Sequence, residues 1–454
     1  MQTAAAFMQA DPISHVRTLV VGLGSTGLSC ARFLAHRGIE VAVTDTREQP
    51  PQLATMQQEL PDIALFLGGF DADAFARAQR IVVSPGVSLR EPMLVQARRR
   101  GVEILGDIEL FARVAAAPIV AITGSNGKST VTTLVGAMAR RAGADVRVGG
   151  NLGVPALDLL GDSEPDLYVL ELSSFQLESV YSLHSRAATV LNVSADHMDR
   201  YDSLQSYVEA KQRIYRGAAV QVINRDDPVA AALATDSGAA IGFTRQAPSG
   251  NDFGIRAEGN RLWIVRGTER WMPTSDVRMP GAHNLANALA ALALGEAAGL
   301  PASAMMQVLR EFQGLAHRTQ WVGEHRGVRW FNDSKATNIG AALAAIRGFE
   351  GPLVLIAGGR AKGAEFAQLA EGMDQRVKAV VLLGESAPAI AAALEGRIAT
   401  TPARDMTDAV RKAADIAVAG DTVLLSPACA SFDMFTDYQH RGEVFMRAVQ
   451  ELHA

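Results

Sequence analysis

The sequence predicts an α/β protein of three domains, each built on a parallel sheet. Short runs rich in Val, Ile and Leu alternate with Ala-rich amphipathic stretches, and this strand–helix rhythm restarts twice along the chain. A length of 454 residues, at about 150 per domain, leaves room for three such units, each large enough to bury a core.

The first cycle contains TLVVGLG (18–24), EVAVTD (40–45) and RIVVSPG (80–86), each stopped by Gly, Asp or Pro. Between the first two, STGLSCARFLAHRG reads as a helix closed by Gly38. The second cycle opens with PIVAITGSNGKST (118–130) and continues through DLYVLELSS (166–174), AATVLNVS (187–194) and AAVQVINRDD (218–227). Residues 281–300, GAHNLANALAALALGEAAGL, form a long helical pattern. The third cycle comprises VRWFNDSKATN (328–338), PLVLIAGG (352–359), AVVLLGES (379–386) and DTVLLSPACAS (421–431). Boundaries near residues 106 and 315 divide the chain into 1–106, 107–314 and 315–454. The first fifteen residues or so read as a loosely ordered tail.

Composition narrows the function. A hydrophobic content of 48%, a charged content of 20% and a net charge of −5 describe a soluble globular chain with no electrostatic call for nucleic acid or an anionic membrane. No apolar run reaches the ~18 residues of a membrane span, and MQTAAAFMQADPISH lacks the basic and apolar regions of a secretory signal, so the expected location is the cytoplasm. Cys30 and Cys429, far apart, make neither a disulfide framework nor a zinc spacing.

TGSNGKST (123–130) carries the strongest chemistry. A strand runs into a glycine-containing turn and then a helix, the context in which backbone N–H groups and a helix N-terminus hold phosphate. Lys128 supplies a point charge for β- and γ-phosphates, and Ser129 or Thr130 a hydroxyl for Mg²⁺. The spacing is shorter than G-x-x-x-x-G-K-[ST], because Ile122 stands where that pattern has glycine. GLGSTG (22–27) matches G-x-G-x-x-G, and Asp45 ends the next strand, so this segment alone reads as an NAD-type dinucleotide site. A close helix–strand crossing, or the diphosphate of another nucleotide, explains it equally. Glu171 at the end of a strand is a possible Mg²⁺ ligand or an ordinary solvated loop residue. His197, among Asp196 and Asp199, reads by itself as a surface histidine, and Lys211 as a solvated helix lysine.

Taken in order, TGSNGKST, GGNLG, ELSSFQLE, DHMDRY, HNLANALAA, HRTQ, NDSKATN and LSPACASFD resemble the Mur ligase family, in its D-glutamate-adding branch, from about residue 16 to residue 450. The short phosphate loop is that family's own spacing. The resemblance implies a Rossmann-like N-terminal domain for the UDP part of a substrate, a central P-loop ATPase-type domain, and a Rossmann-like C-terminal domain that brings the amino acid. It implies ATP-dependent amide formation between UDP-N-acetylmuramoyl-L-alanine and D-glutamate through an acyl phosphate, with two Mg²⁺ ions, in peptidoglycan precursor synthesis by a monomer.

By the same resemblance, Gly124, Ser125, Asn126, Gly127, Lys128, Ser129 and Thr130 hold the ATP phosphates, Asn287 the adenine side, Asp333 the ribose and Arg318 the γ-phosphate. Ser129 or Thr130 with Glu171 forms one Mg²⁺ site; His197 with Lys211, as a carbamate, forms the other. Ser25, Thr26, Asp45, Thr46, Arg47 and Gly86 match the UDP pocket, with Asn151 and His197 toward the muramoyl-alanine end. Thr337, Lys362, Ser431, Phe432 and Tyr438 match the D-glutamate pocket. The chain departs from the family pattern at Tyr438 (phenylalanine), Phe432 (leucine) and Arg360 (a smaller or acidic residue), and the segment before Lys211 is one residue shorter. Rival readings are a sibling ligase, a folylpolyglutamate synthase, an NAD-dependent dehydrogenase resting on GLGSTG and Asp45, and a non-catalytic nucleotide-binding relative.

Overall fold

A computed structural model describes residues 16–235, 238–279, 281–349, 351–361, 363 and 365–452. The N-terminal tail lies outside the described residues. The chain forms three sheets in succession, each flanked by helices.

The first sheet is fully parallel, in the order Ala64–Leu67, Val41–Asp45, Thr18–Val21, Arg80–Val83, Glu103–Leu105. The order reverses beside Thr18–Val21, so a crevice opens at its C-terminal end between Gly22 and Ser84, the place where open α/β sheets bind ligands. The central sheet places Ile119–Thr123 between Leu167–Glu171 and Ala187–Val190. The phosphate loop, Glu171 and the 192–197 segment therefore leave from neighbouring strand ends, although they are far apart in sequence.

The third sheet sets Thr422–Leu425 between Val328–Asn332 and Leu353–Gly358, which brings together the loops that follow all three strands. It differs from expectation at one edge, where Gln320–His325 pairs antiparallel with Val328–Asn332. The central sheet also gains an antiparallel extension, Phe253–Glu258, Arg261–Arg266 and Glu269–Pro273. Sequence reading missed these strands because each is buried over only part of its length and carries Arg or Glu where it is exposed, which leaves no period-two alternation to read.

The first two domains share a core. Leu28 and Leu34 of the first pack in one cluster with Leu110 and Phe111 of the connecting helix Asp107–Val114 and with Tyr168 and Leu172 of the second. Phe111 meets Tyr168 edge to face at 4.9 Å between ring centroids. The third domain has its own clusters on either side of its sheet. Among the described residues, no helix is long and apolar enough to cross a membrane.

Candidate active site

Two cavities flank the central strand ends. The first, about 450 Å³, lies between the N-terminal and central domains. Ser25, Thr26, Asp45, Thr46, Arg47 and Gly86 line one side and Asn151 the other. The GLGSTG turn is tight: a Cβ on Gly27 would sit 1.9 Å from the Gly22 carbonyl oxygen. The Asp45 carboxylate is already engaged, accepting the Leu23 N–H at 2.7 Å, the Arg47 N–H at 2.9 Å and the Arg47 guanidinium at 2.7 and 2.8 Å. Burial alone raises its pKa, but the Arg47 guanidinium and these N–H groups outweigh that and hold it at about 2. The acid that a dinucleotide site would offer to ribose is thus tied to an arginine.

The phosphate loop is built by its neighbours. Gly127 has φ +85, and a Cβ there would lie 2.4 Å from Asn287 Oδ1, so glycine is required twice over. Asn192 clamps Asn126 through both its amide atoms, accepting the Asn126 N–H at 2.8 Å and donating to its carbonyl at 3.0 Å. Ser125 Oγ and Tyr207 Oη are 3.0 Å apart. Lys128 folds back to donate to the carbonyls of Gly124 (2.9 Å) and Ser125 (3.1 Å), which fixes its ammonium over the loop. Ser129 and Thr130 begin the helix Lys128–Arg141 with buried hydroxyl-bearing side chains.

The isolated readings of Glu171 and Lys211 as solvated residues are overturned: they are only 3% and 1% exposed. Glu171 Oε1 accepts from Asn151 Nδ2 at 2.7 Å, and its buried Oε2 has no partner. An orphaned, buried carboxylate oxygen is a donor that fits Mg²⁺, which takes one or two carboxylates and leaves other positions to phosphate and water. Among the described residues no group of three or more His, Cys, Asp or Glu could hold a metal.

Lys211, on the helix Leu204–Gln212, donates to the Gly124 carbonyl at 2.9 Å and lies 4.5 Å from the Tyr207 ring centroid. Burial and then the neighbouring Lys128 charge push its pKa well below that of an ordinary lysine, against the pull of Asp196 and Glu171. His197 is partly exposed, has φ 58, and packs edge-on against Phe175 at 4.8 Å.

The second cavity, about 460 Å³, lies between the central and C-terminal domains. Asn126, Gly127, Thr130 and Asn287 line it from one side, Arg318 and Asp333 from the other. Arg318 donates to Ser129 Oγ at 2.9 Å, closing the phosphate loop from above. Asp333 accepts from Ser426 Oγ (2.8 Å) and the Thr319 N–H (3.1 Å), yet burial pushes its carboxyl up to about 7.

Of the residues matched to D-glutamate, Ser431 is buried, Tyr438 is half-buried with Lys335 3.8 Å above its ring, and Phe432 is 63% exposed. Thr337 follows the strand Val328–Asn332 in the turn that precedes the helix Ile339–Arg347. Lys362 lies outside the described residues. Gly363 would carry a Cβ 3.7 Å from the Asp199 N, which puts Gly363 itself beside the His197 turn.

Residue-by-residue reading missed Asn192, Tyr207, Lys335, Asn338 and Arg441. Arg441 is buried and donates to Ser334 Oγ and carbonyl and to the Cys429 carbonyl, joining the NDSK and PACAS loops. The runs NDSK and NVSADH contain Asn332 and Asn192, but nothing in sequence shows which partner each faces. Non-glycine residues with positive φ gather here too, at His197, His317, Thr319 and Ala428. Such strain collects at functional sites.

Comparison with known proteins shows the family. Residues 16–106 match the family described as Mur ligase MurD-like, N-terminal domain; residues 122–295 match the Mur ligase middle domain; residues 317–429 match the Mur ligase, glutamate ligase domain. The chain belongs to the Mur ligase family. It is 53% identical over 444 residues to the UDP-N-acetylmuramoylalanine–D-glutamate ligase of Nitrosococcus oceani, covering 97% of this chain and 98% of that one. It is 54% identical over 434 residues to the protein of that name from Pseudomonas putida, covering 95% and 96%. In fold it is similar to a pseudomurein peptide ligase type C from Methanothermus fervidus (TM-score 0.63, 18% identity, 96% of this chain and all of that one). It is likewise similar to the UDP-N-acetylmuramate–alanine ligase of Thermotoga maritima (TM-score 0.60, 18% identity, 96% and 100%).

Proposed function

We propose that this chain is an ATP-dependent ligase that joins D-glutamate to UDP-N-acetylmuramoyl-L-alanine, a step of peptidoglycan precursor synthesis. One observation carries the reading: the walls of the two cavities are hydrogen-bonded to the central site, through Asn151 to Glu171 on one side and Arg318 to Ser129 on the other. A nucleotide-linked carboxylate entering from the first cavity meets the γ-phosphate of ATP held in the second. Its oxygen attacks phosphorus, ADP leaves, and an acyl phosphate forms. The amine of the amino acid then attacks the acyl carbon and phosphate leaves.

Each residue has a task in that sequence. Lys128 and the loop N–H groups hold the triphosphate, and Arg318 neutralises its γ end. Asn287 and Asp333 orient the nucleoside, with Lys335 at the cavity rim. Ser25, Thr26, Asp45, Thr46, Arg47 and Gly86 seat the UDP group; Asn151 and His197 face its acyl end. Thr337, Ser431, Phe432, Tyr438 and Lys362 form the D-glutamate pocket, where the lysine and the hydroxyls suit its two carboxylates.

Glu171 with Ser129 or Thr130 would hold one Mg²⁺, and His197 with Lys211 the second. Bound there, the ions offset the charge of two anions brought together. A neutral buried Lys211 amine can add CO₂, forming an N–C bond and releasing one proton, and the resulting carbamate is an oxygen ligand. The chain acts as a monomer in this reading.

The test is phosphate release from ATP and Mg²⁺ with UDP-N-acetylmuramoyl-L-alanine, comparing D-glutamate, L-glutamate and no amino acid. Release that requires the nucleotide substrate and the D-isomer is expected. Dependence on another amino acid would move the chain to a sibling ligase, and no release at all would sink the reading.

A further inference from the structure

We propose that Asn338 is a positioning residue that makes the set of the phosphate loop and of the Asp196–His197 turn conditional on docking of the C-terminal domain. The inference rests on the ligase reading above. Asn338 is buried and caps the helix Ile339–Arg347, its Oδ1 accepting the Ala341 N–H at 2.8 Å. Ser, Thr or Asp caps as well as Asn. Only Asn adds a second, donating arm.

That arm leaves its own domain. Nδ2 donates to Asp196 Oδ2 at 3.0 Å and reaches Asn126 Oδ1 at 3.4 Å. Asp196 in turn holds the next residue: its Oδ1 accepts the His197 N–H at 2.9 Å, and its Oδ2 lies 3.7 Å from His197 Nε2. Asn126 is the residue that Asn192 clamps. One amide from the C-terminal domain thus completes a chain of contacts from the phosphate loop to His197, whose left-handed backbone needs such support.

The backbone around Asn338 is shaped for the same seat. A Cβ on Gly340 would lie 2.8 Å from Ser194 Oγ and 3.6 Å from Asn126 Nδ2, so the start of this helix rests on the 194 segment. The domain that carries the amino-acid pocket therefore delivers a structural signal when it docks. In the undocked arrangement Asn126 and Asp196 lose that hold, and phosphoryl transfer without an acceptor in place slows.

Two variants keep the cap and remove the arm. Asn338→Asp sets a second carboxylate against Asp196; Asn338→Ser is too short to reach it. The expected result for Asn338→Asp is a fall in kcat of about ten-fold or more, with the KM values for ATP and the nucleotide substrate shifted less than about two-fold and Tm by no more than about 2 °C. The exchanged pair Asn338→Asp with Asp196→Asn restores a donor facing an acceptor and recovers most of the loss.

Activity of Asn338→Asp close to wild type would overturn the proposal. So would a loss that follows Tm and is not recovered by the exchanged pair, which marks a mere cap. If the wild type makes no product, the reaction reading fails by itself. Small-angle scattering with ATP bound then still decides the residue's role: equal radii for wild type and Asn338→Asp overturn it, and a larger radius for the variant supports it.

Discussion

The chain contains two glycine-rich turns of the same build, GLGSTG in the first domain and TGSNGKST in the second. Both leave the C-terminal end of an inner parallel strand, and both open a helix. They differ in what surrounds the glycines. The first has no lysine at its helix start, and its nearby acid is tied to Arg47. The second gathers Lys128, two hydroxyls, an asparagine clamp and an arginine from another domain. Glycine spacing fixes how closely a phosphate approaches; the charges around it decide which phosphate, and whether it reacts.

Four experiments press on that difference, in falling order of effect. Lys128→Ala removes the charge that distinguishes the second turn and is expected to lower kcat by about 10²–10³, a loss read in steady-state kinetics. Lys211→Ala should abolish most activity, with Lys211→Arg no better, since arginine cannot become a carbamate; full activity in the arginine variant would break the account. Gly27→Ala strikes the first turn alone. Its Cβ would meet the Gly22 carbonyl, so a loss of about 1–3 kcal/mol of stability in denaturant titration is expected, together with weaker nucleotide-substrate binding.

Asp333→Asn has the smallest effect. The folded carboxyl titrates at about 7, against ~3.9 when unfolded. Its contribution favours the fold below pH ~4 and is lost as pH rises through about 7. The variant should therefore gain Tm relative to wild type at about pH 8 and not at about pH 4, by a few degrees, while binding ATP less tightly. Equal Tm differences at both values would contradict the burial argument.

What could be read from sequence was what chemistry forces into adjacent residues. Phosphate needs consecutive N–H groups, a lysine and a hydroxyl in one stretch, so TGSNGKST announced itself. Resemblance to a family extended that to separated positions. Residues taken singly failed where burial depends on strand order. Glu171 and Lys211 looked solvated because their neighbours in space, Asn151 and Gly124, come from other strands. Asn338 gave no signal of its own: it closes the polar run NDSKATN, and its role as a helix cap comes from the structure. The antiparallel strands at 253–273 stayed hidden because their exposed ends carry Arg and Glu and leave only short buried runs.

The helix Asp107–Val114 gives the molecule two joints of unlike stiffness. Glu109 accepts the N–H groups of Tyr181 and Ser182 and the Ser182 hydroxyl, and Asp107 accepts from Gln176, so this connection is bolted into a core that both domains share. Residues 312–315, which lead to the third domain, have no regular structure, and that domain keeps separate cores. In mechanical terms the first joint is a weld and the second a pivot.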